Sequence, residues 1–375
     1  MNQEEANKLN KEGGMILILD FPESYVLGID LKFWHIGKNF MGLKMIPKGA
    51  HFLYYNAISK NEESTKSSGI RSGFFFTIKE EGEVIVKRWN DEIEDLEEVE
   101  EEESGRYALG AKNFQFDSNL GPYPFDQYQK WKELSLNLEL VLPKLEPVTK
   151  KISPLIIWEE VEEENKDEKK KLFSSKTQRN EFPQWTKEEI ERDPPNNKNK
   201  IFWTEIPEKM IPKDADPKTI TKLNLDKSYL LDHLLSLCNN SPKILIGEFQ
   251  FSFLIFFLGF SFEGFKQWKK FIILFCNSFD ALETKSELYE SFIDSFKSQM
   301  EQVESEFFID QFTQSDFLEK SFGSIFQEIN DPSLSIVPSL KTKLLLLKSF
   351  LEKKFQLSFD LDDDEDMPQI VSFDD

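Results

Sequence analysis

The chain has 375 residues, enough for two ordinary domains, and its 39% hydrophobic and 14% aromatic content supports packed cores and excludes wholesale disorder. Its formal net charge of −22 is concentrated in two places: ten of the thirteen residues in 91–103 are acidic, as are eight of the sixteen in 360–375, and neither run holds a basic residue. Those runs carry 18 of the 22 excess negative charges, so the remaining body is close to neutral, and runs this dense are expected to be solvated loop and tail.

Two cysteines, Cys238 and Cys276, sit in apolar stretches, which excludes a disulfide framework and a zinc site and fits small hydrophobes in a reduced compartment. The N-terminal MNQEEANKLNKEGG has no apolar core of a signal peptide. The longest apolar run, residues 251–262, is twelve residues against the roughly twenty a membrane span needs. It reads as a buried helix in a soluble chain with no membrane partner.

In chain order, a short helical opening ends at Gly13-Gly14. Six strand-like segments follow: 15–19, 25–29, 40–46, 52–55, 74–78 and 84–89. They are punctuated by Asp20-Phe21-Pro22, Gly37-Lys38-Asn39, Pro47-Lys48-Gly49, the polar stretch 61–69, and Glu80-Glu81-Gly82. Short strands without intervening amphipathic helices predict an antiparallel, sandwich- or barrel-like domain over 1–150, with an acidic insert at 91–104. Asp126 is placed to cap a helix bearing Tyr128, Trp131, Leu134, Leu138 and Val141, which Pro143 and Pro147 would end.

Residues 151–200, charged and ending in Asp193-Pro194-Pro195-Asn196-Asn197, read as an interdomain linker. A helical domain is expected over 201–358, where from Asp226 onward the apolar period becomes 3.6 residues. Leu225, Tyr229, Leu230, Leu234 and Leu237 would share one face. Residues 244–262, apolar nearly all round, mark the central helix of a helical domain. Further stripes are Phe265/Trp268/Ile272/Phe275, Leu288/Phe292/Phe296/Met300, Leu318/Phe322/Ile325/Ile329 (behind a cap at Asp316) and Leu340/Leu344/Leu347/Leu351. The fold class is therefore α+β multidomain, a β-rich domain followed by an all-α domain of five or six packed helices. In the acidic tail, 359–375, the island Pro368-Gln369-Ile370-Val371-Ser372-Phe373 is apolar and β-prone, the form of a linear motif that adds a strand to a partner's sheet.

Signatures of chemistry are missing. His35, His51 and His233 have no metal-ligand spacing, and no dinucleotide loop, phosphate loop or nucleophile elbow is present. No cofactor, metal or catalytic residue is expected. His51 reads as a hydrogen-bonded structural histidine and Asp30 as a turn residue. Glu248 interrupts an apolar helix, so it must reach solvent, a cation or a helix N-terminus. Lys266, Lys269 and Lys270 beside Trp268 make too small a basic cluster for direct nucleic-acid binding.

Several segments occur in a familiar order. They are Gly28-Ile29-Asp30 and Trp34, then GLKMIPKGAHFLYY (42–55), Arg71-Ser72-Gly73-Phe74-Phe75, Arg88-Trp89, Leu120-Gly121-Pro122-Tyr123-Pro124 and Lys130-Trp131. In the back half come Asp226-Lys227-Ser228-Tyr229, Gly247-Glu248-Phe249-Gln250-Phe251, Leu258-Gly259, and Trp268-Lys269-Lys270 leading to Cys276. Together, over residues 30–280, they resemble the A1 cistron-splicing factor family.

The resemblance implies a VHS-like helical domain in the back half. It also implies a non-catalytic assembly chaperone of the U5 small nuclear ribonucleoprotein. Such a protein binds pre-mRNA-processing-splicing factor 8 at its RNase H-like and Jab1/MPN-like domains and holds off the helicase, or RNA, until maturation is complete. The family's C-terminal tail can run between partner domains as an added strand, which here would be Pro368 to Phe373. A monomer of nucleus and cytoplasm is expected. Two other classes stay open: a hydrolase using carboxylates such as Asp30 and Glu248, and a membrane-traffic adaptor built on the VHS-like domain.

Overall fold

The computed structural model describes residues 11–58, 71–153, 199–208, 216–305, 316–329 and 334–359, together with residues 9 and 210. The chain divides into two compact units that do not follow chain order: residues 1–204 with 243–268, and residues 205–242 with 269–375.

Among the described residues of the first unit, nine strands build two sheets. They are β1 (Gly14–Leu19), β2 (Tyr25–Ile29), β3 (Lys32–His35), β4 (Gly42–Ile46), β5 (Gly49–Ala57), β6 (Ser72–Ile78), β7 (Val84–Asn90), β8 (Asp95–Glu98) and β9 (Leu120–Pro122). One sheet has the order β8-β7-β1-β4-β9 and the other β3-β2-β5-β6. The second is antiparallel throughout, as expected from short strands without intervening helices. The first is mixed: β1 pairs parallel with β7 (Met15↔Val84 to Leu19↔Arg88), and β4 parallel with β9. The purely antiparallel expectation fails there because each of these pairs is closed by a long stretch of chain, not by a hairpin.

Side chains of both sheets meet in one core. Ile16, Ile18 and Leu43 come from the first sheet, and Leu27, Leu53, Tyr55 and Phe76 from the second. The opposite residues of β1, Met15, Leu17 and Leu19, form a second cluster with Val86, Ala111 and Tyr107. Thus β1 is buried on both faces, which is why it reads as an unbroken apolar run.

The acidic run 91–104, expected as a solvated loop, is folded. It contains β8 and the start of helix α1 (Glu101–Lys112). The reason is a basic neighbour: Lys87 and Arg88 lie opposite Glu98 and Glu97 across the β7–β8 ladder. The Arg88 guanidinium donates to both oxygens of Glu103, at 3.0 and 2.8 Å, holding that carboxyl below its ordinary range. Glu101, Glu102 and Glu103 occupy the first turn of α1, where the positive end of the helix dipole favours them.

Two helices, α2 (Tyr128–Ser135) and α3 (Leu138–Leu145), replace the single one expected from Asp126 onward. Asp126 is not a cap; it pairs with Lys32 at 3.0 Å, and Gln127 precedes α2. Nor does Pro143 end the helix, for it lies inside α3. The Trp131 indole donates to the Ala50 carbonyl at 2.9 Å and fastens α2 to β5.

Helix α6 (Pro242–Phe257), the expected centre of a helical domain, packs instead with the first unit. Its Phe251 ring meets Phe75 of β6 at 5.4 Å. Gly247 faces the turn between α2 and α3, where an added Cβ would lie 2.8 Å from the Asn137 carbonyl oxygen. The interdomain linker expected over 151–200 is flanked on both sides by this same unit: Ile152 exchanges two backbone hydrogen bonds with Gly73, and Thr149 donates to Asn199 at 2.7 Å, while residues 154–198 lie outside the described residues.

The second unit holds helices α4 (Pro217–Leu225), α5 (Ser228–Leu237), the end of α7 (Phe262–Cys276), α8 (Asp280–Thr284), α9 (Ser286–Gln302), α10 (Asp316–Glu328) and α11 (Pro338–Phe355). The stripes Leu288/Phe292/Phe296/Met300, Leu318/Phe322/Ile325/Ile329 and Leu340/Leu344/Leu347/Leu351 are all buried, as the 3.6-residue spacing requires. Rings stack along the core from Phe275 on Phe292 (4.1 Å) to Phe296 on Phe322 (4.7 Å). The stripe of the first helix is shifted from its expected position. Leu225 belongs to α4 and is exposed, Leu237 is exposed, and Leu230, Leu231, Leu234 and Leu235 carry the packing. The side chain of Asp316 lies outside what the structure describes. Among the described residues, no helix is long and apolar enough to cross a membrane.

Candidate functional site

The two acids singled out by sequence are both buried, and each is occupied. Asp30 stands in the two-residue turn between β2 and β3 with φ 53°, a left-handed conformation that Asp tolerates better than most residues. Its carboxylate accepts from the Phe52 amide (2.9 Å), the Tyr123 hydroxyl (2.6 Å) and His51 Nδ1 (2.7 Å). His51 Nε2 donates to the Pro47 carbonyl at 2.9 Å, so both ring nitrogens face oxygen acceptors. Asp30 and His51 are 0% and 1% exposed, and burial beside Asp30 pushes the Tyr123 phenol far above its usual range. This node ties a turn, the β5 strand and the segment after β9 together.

Glu248, on α6, reaches neither solvent nor a helix N-terminus. Its oxygens accept from the backbone amide and hydroxyl of Thr204, both at 2.7 Å, with the Lys144 ammonium 3.9 Å away. Burial raises its pKa, and the two Thr204 hydrogen bonds oppose that rise. Nearby, the Trp203 indole donates to Glu263 at 2.6 Å. Asp30 and Glu248 thus sit in separate nodes, each filled by its own donors. The paired carboxylates that a hydrolase would need are not assembled from them. Among the described residues, no group of His, Cys, Asp and Glu is placed to hold a metal ion.

A different feature, among the described residues, is a groove. The groove along the outer edge of β6 has a volume of about 1210 Å³, and its walls include Phe74, Leu96, Lys144, Glu146 and Val148. Gly73 already uses its outward N–H and C=O on Ile152. Strand alternation turns the backbone groups of Phe75 and Thr77 to the same edge. Burial at the end of α3 pushes the Glu146 carboxyl up to about 7, against the lowering effect of Lys150. Sequence reasoning passed over this groove, since strand order decides which strand is an edge. The one readable signal was an acid directly after a helix, at the negative end of its dipole. The predicted partner contacts, Pro368-Gln369-Ile370-Val371-Ser372-Phe373, lie outside the described residues.

The family segments of the back half have structural duties. Asp226 accepts from the amides of Ser228 (2.6 Å) and Asp280 (2.7 Å), stitching the start of α5 to α8. Gln250 accepts from the Asn137 amide at 3.0 Å, beside the close approach at Gly247.

Models of the AAR2 N-terminal domain and of the AAR2 C-terminal repeat region match residues 12–154 and 203–360. The protein AAR2 homolog of Homo sapiens is 30% identical over 382 residues, covering 99% of this chain and 96% of that protein. The chain belongs to the AAR2 family. The AAR2 homologs of Mus musculus (30% over 381 residues, 99% of this chain and 96% of the relative) and Caenorhabditis elegans (31% over 369 residues, 96% and 98%) match over a similar span. The A1 cistron-splicing factor resemblance read from the ordered segments is this same AAR2 relationship, and the β-rich front and helical back agree with its two domain models.

Proposed function

We propose that this chain is a non-catalytic assembly factor of the U5 small nuclear ribonucleoprotein in pre-mRNA splicing. It binds pre-mRNA-processing-splicing factor 8 at its RNase H-like and Jab1/MPN-like domains and, by occupancy, holds off the helicase or RNA until maturation is complete. The observation that carries this reading is similarity to AAR2 homologs along 99% of the chain, spanning both halves. The filled Asp30 and Glu248 nodes support a binding role over a carboxylate-based one. Residues 368–373 supply an added strand, with main-chain hydrogen bonds for affinity and alternate side chains for specificity. The protein acts as a monomer in cytoplasm and nucleus, without direct nucleic-acid or membrane contact.

Affinity purification with mass spectrometry tests the function class: U5 components are expected, and recovery of membrane-traffic or unrelated machinery in their place would overturn it. Deleting residues 361–375 is expected to weaken binding to the recombinant scaffold domains in a pull-down titration, with the melting profile unchanged. Equal affinity of the truncated chain would remove the tail from the interface.

A further inference from the structure

Helix α11 has two faces of opposite character. Leu340, Leu344, Leu347, Leu351 and Phe355 are buried in the second unit. On the other side Thr342, Leu345, Leu346, Ser349 and Lys353 succeed one another at helical spacing and are exposed, Leu345 at 45% and Leu346 at 64%. The helix carries five lysines against one acid, Glu352. Three lysines are engaged: Lys343 with Asp294 and Glu290, Lys348 with Glu352, and Lys354 with the carbonyls of Met300 and Glu301. Lys353 and Lys341, which bracket the exposed leucines, have no ion pair among the described residues.

The C-terminal segment is the chemical complement of this face. Past α11 the backbone turns through Gln356 (φ 55°), and Phe359 is seated edge-on against Phe326 of α10 at 4.9 Å. Phe359, four residues past the end of α11, is the point from which residues 360–375 continue. Six acids occupy positions 360–366, the apolar island 370–373 comes next, and Asp374 and Asp375 come after it. Running back along α11, the order met is Lys353, then Leu346 and Leu345, then Lys341. Sixteen extended residues span about 50 Å, whereas the 18-residue helix is about 27 Å long, so reach is ample.

We propose that residues 360–375 dock in cis on the outer face of α11. The acids of 360–366 meet Lys353, Ile370, Val371 and Phe373 cover Leu345 and Leu346, and Asp374 and Asp375 meet Lys341. A segment tethered this closely has an effective concentration in the millimolar range, so weak contacts suffice. Where residues 368–373 are also the strand offered to the scaffold, docking on α11 shields that strand until a partner competes for it.

Zero-length carbodiimide cross-linking of the intact protein, read by mass spectrometry on a mixture of ¹⁴N- and ¹⁵N-labelled chains, tests the docking without any splicing partner. The expected result is tail carboxylates joined to Lys341 and Lys353 within single chains. These products should fall at least fivefold in Leu345→Ser/Leu346→Ser, at exposed positions that leave the packed core intact, and equally in Ile370→Ser/Val371→Ser. The Lys343–Asp294 product is the internal standard and should not change. Tail carboxylates spread evenly over lysines of other faces, such as Lys218 and Lys285, would overturn the proposal. So would yields that either double variant leaves unchanged. Predominantly mixed-isotope products would overturn it too, and would assign the face to a second copy of the chain.

Discussion

At the scale of single residues, Asp30 shows how one side chain can serve two ends. The turn reading was legible, because Asp tolerates the left-handed backbone its position demands. Its second duty, accepting from Phe52, His51 and Tyr123, was not, because those donors lie 21 to 93 residues away in the chain. Removing the carboxylate strands a buried imidazole, amide and phenol together. Asp30→Ala is therefore expected to cost about 3–5 kcal/mol in urea unfolding.

Glu146 behaves differently, because its difficulty is burial with no hydrogen-bonding partner among the described residues. Its pKa is raised to about 7 in the folded protein against an ordinary value near 4.5. The folded state thus holds the proton more tightly than the unfolded one, so this contribution to stability is complete below about pH 4.5. It declines as pH rises and is gone above about 7. Glu146→Gln fixes the neutral form. The variant should match wild type at pH 4.5 and exceed it by about 1–2 kcal/mol at pH 8, a figure reduced for partial solvent access. Parallel denaturation curves at both pH values decide it, and an unchanged gap would refute the assignment.

At the scale of elements, period and punctuation carried most of the information. The apolar runs of β1 and β2 and the leucine stripe of α11 stand where their spacing put them. The elements that escaped are those whose existence depends on a neighbour. Strand β9 is three residues long and has only its parallel pairing with β4 to define it. Strand β8 is acidic and forms because β7 is basic. For α6 the sequence announced burial but not the surface that buries it. Gly247 held the clue, since a glycine inside an apolar helix marks a close approach. Any side chain there must displace the backbone at Asn137 or the Val141 side chain. Gly247→Val is expected to lower stability by about 1–3 kcal/mol by overpacking, and to weaken the Gln250–Asn137 hydrogen bond. Calorimetry checks the first, and the exchange rate of the Asn137 amide checks the second.

At the scale of the whole molecule, the acidity that dominates the composition resolves into two parts with different fates. The run at 91–103 is spent inside the fold on Lys87, Arg88 and helix α1. The run at 360–375 is assigned, in the docking proposed above, to the lysines of α11 or to a partner that competes for it. Ionic strength should therefore separate them: raising salt weakens tail contacts far more than it lowers the unfolding temperature of the first unit. Fluorescence melting alongside a tail-binding readout, from about 50 to about 500 mM salt, makes the comparison.

The pinning of Thr149 to Asn199 and of Ile152 to Gly73 has a practical corollary. These contacts hold both flanks in the first unit, so a change in the length of chain joining them acts mainly through loop closure. Loop-closure entropy changes by only about 0.6 kcal/mol per doubling. Exchanging residues 154–198 for about eight Gly/Ser residues should therefore shift stability by less than about 2 kcal/mol, which a denaturation curve would read directly. By the same reasoning a fluorescent protein could be grafted there, giving an internally tagged chain whose two ends remain native.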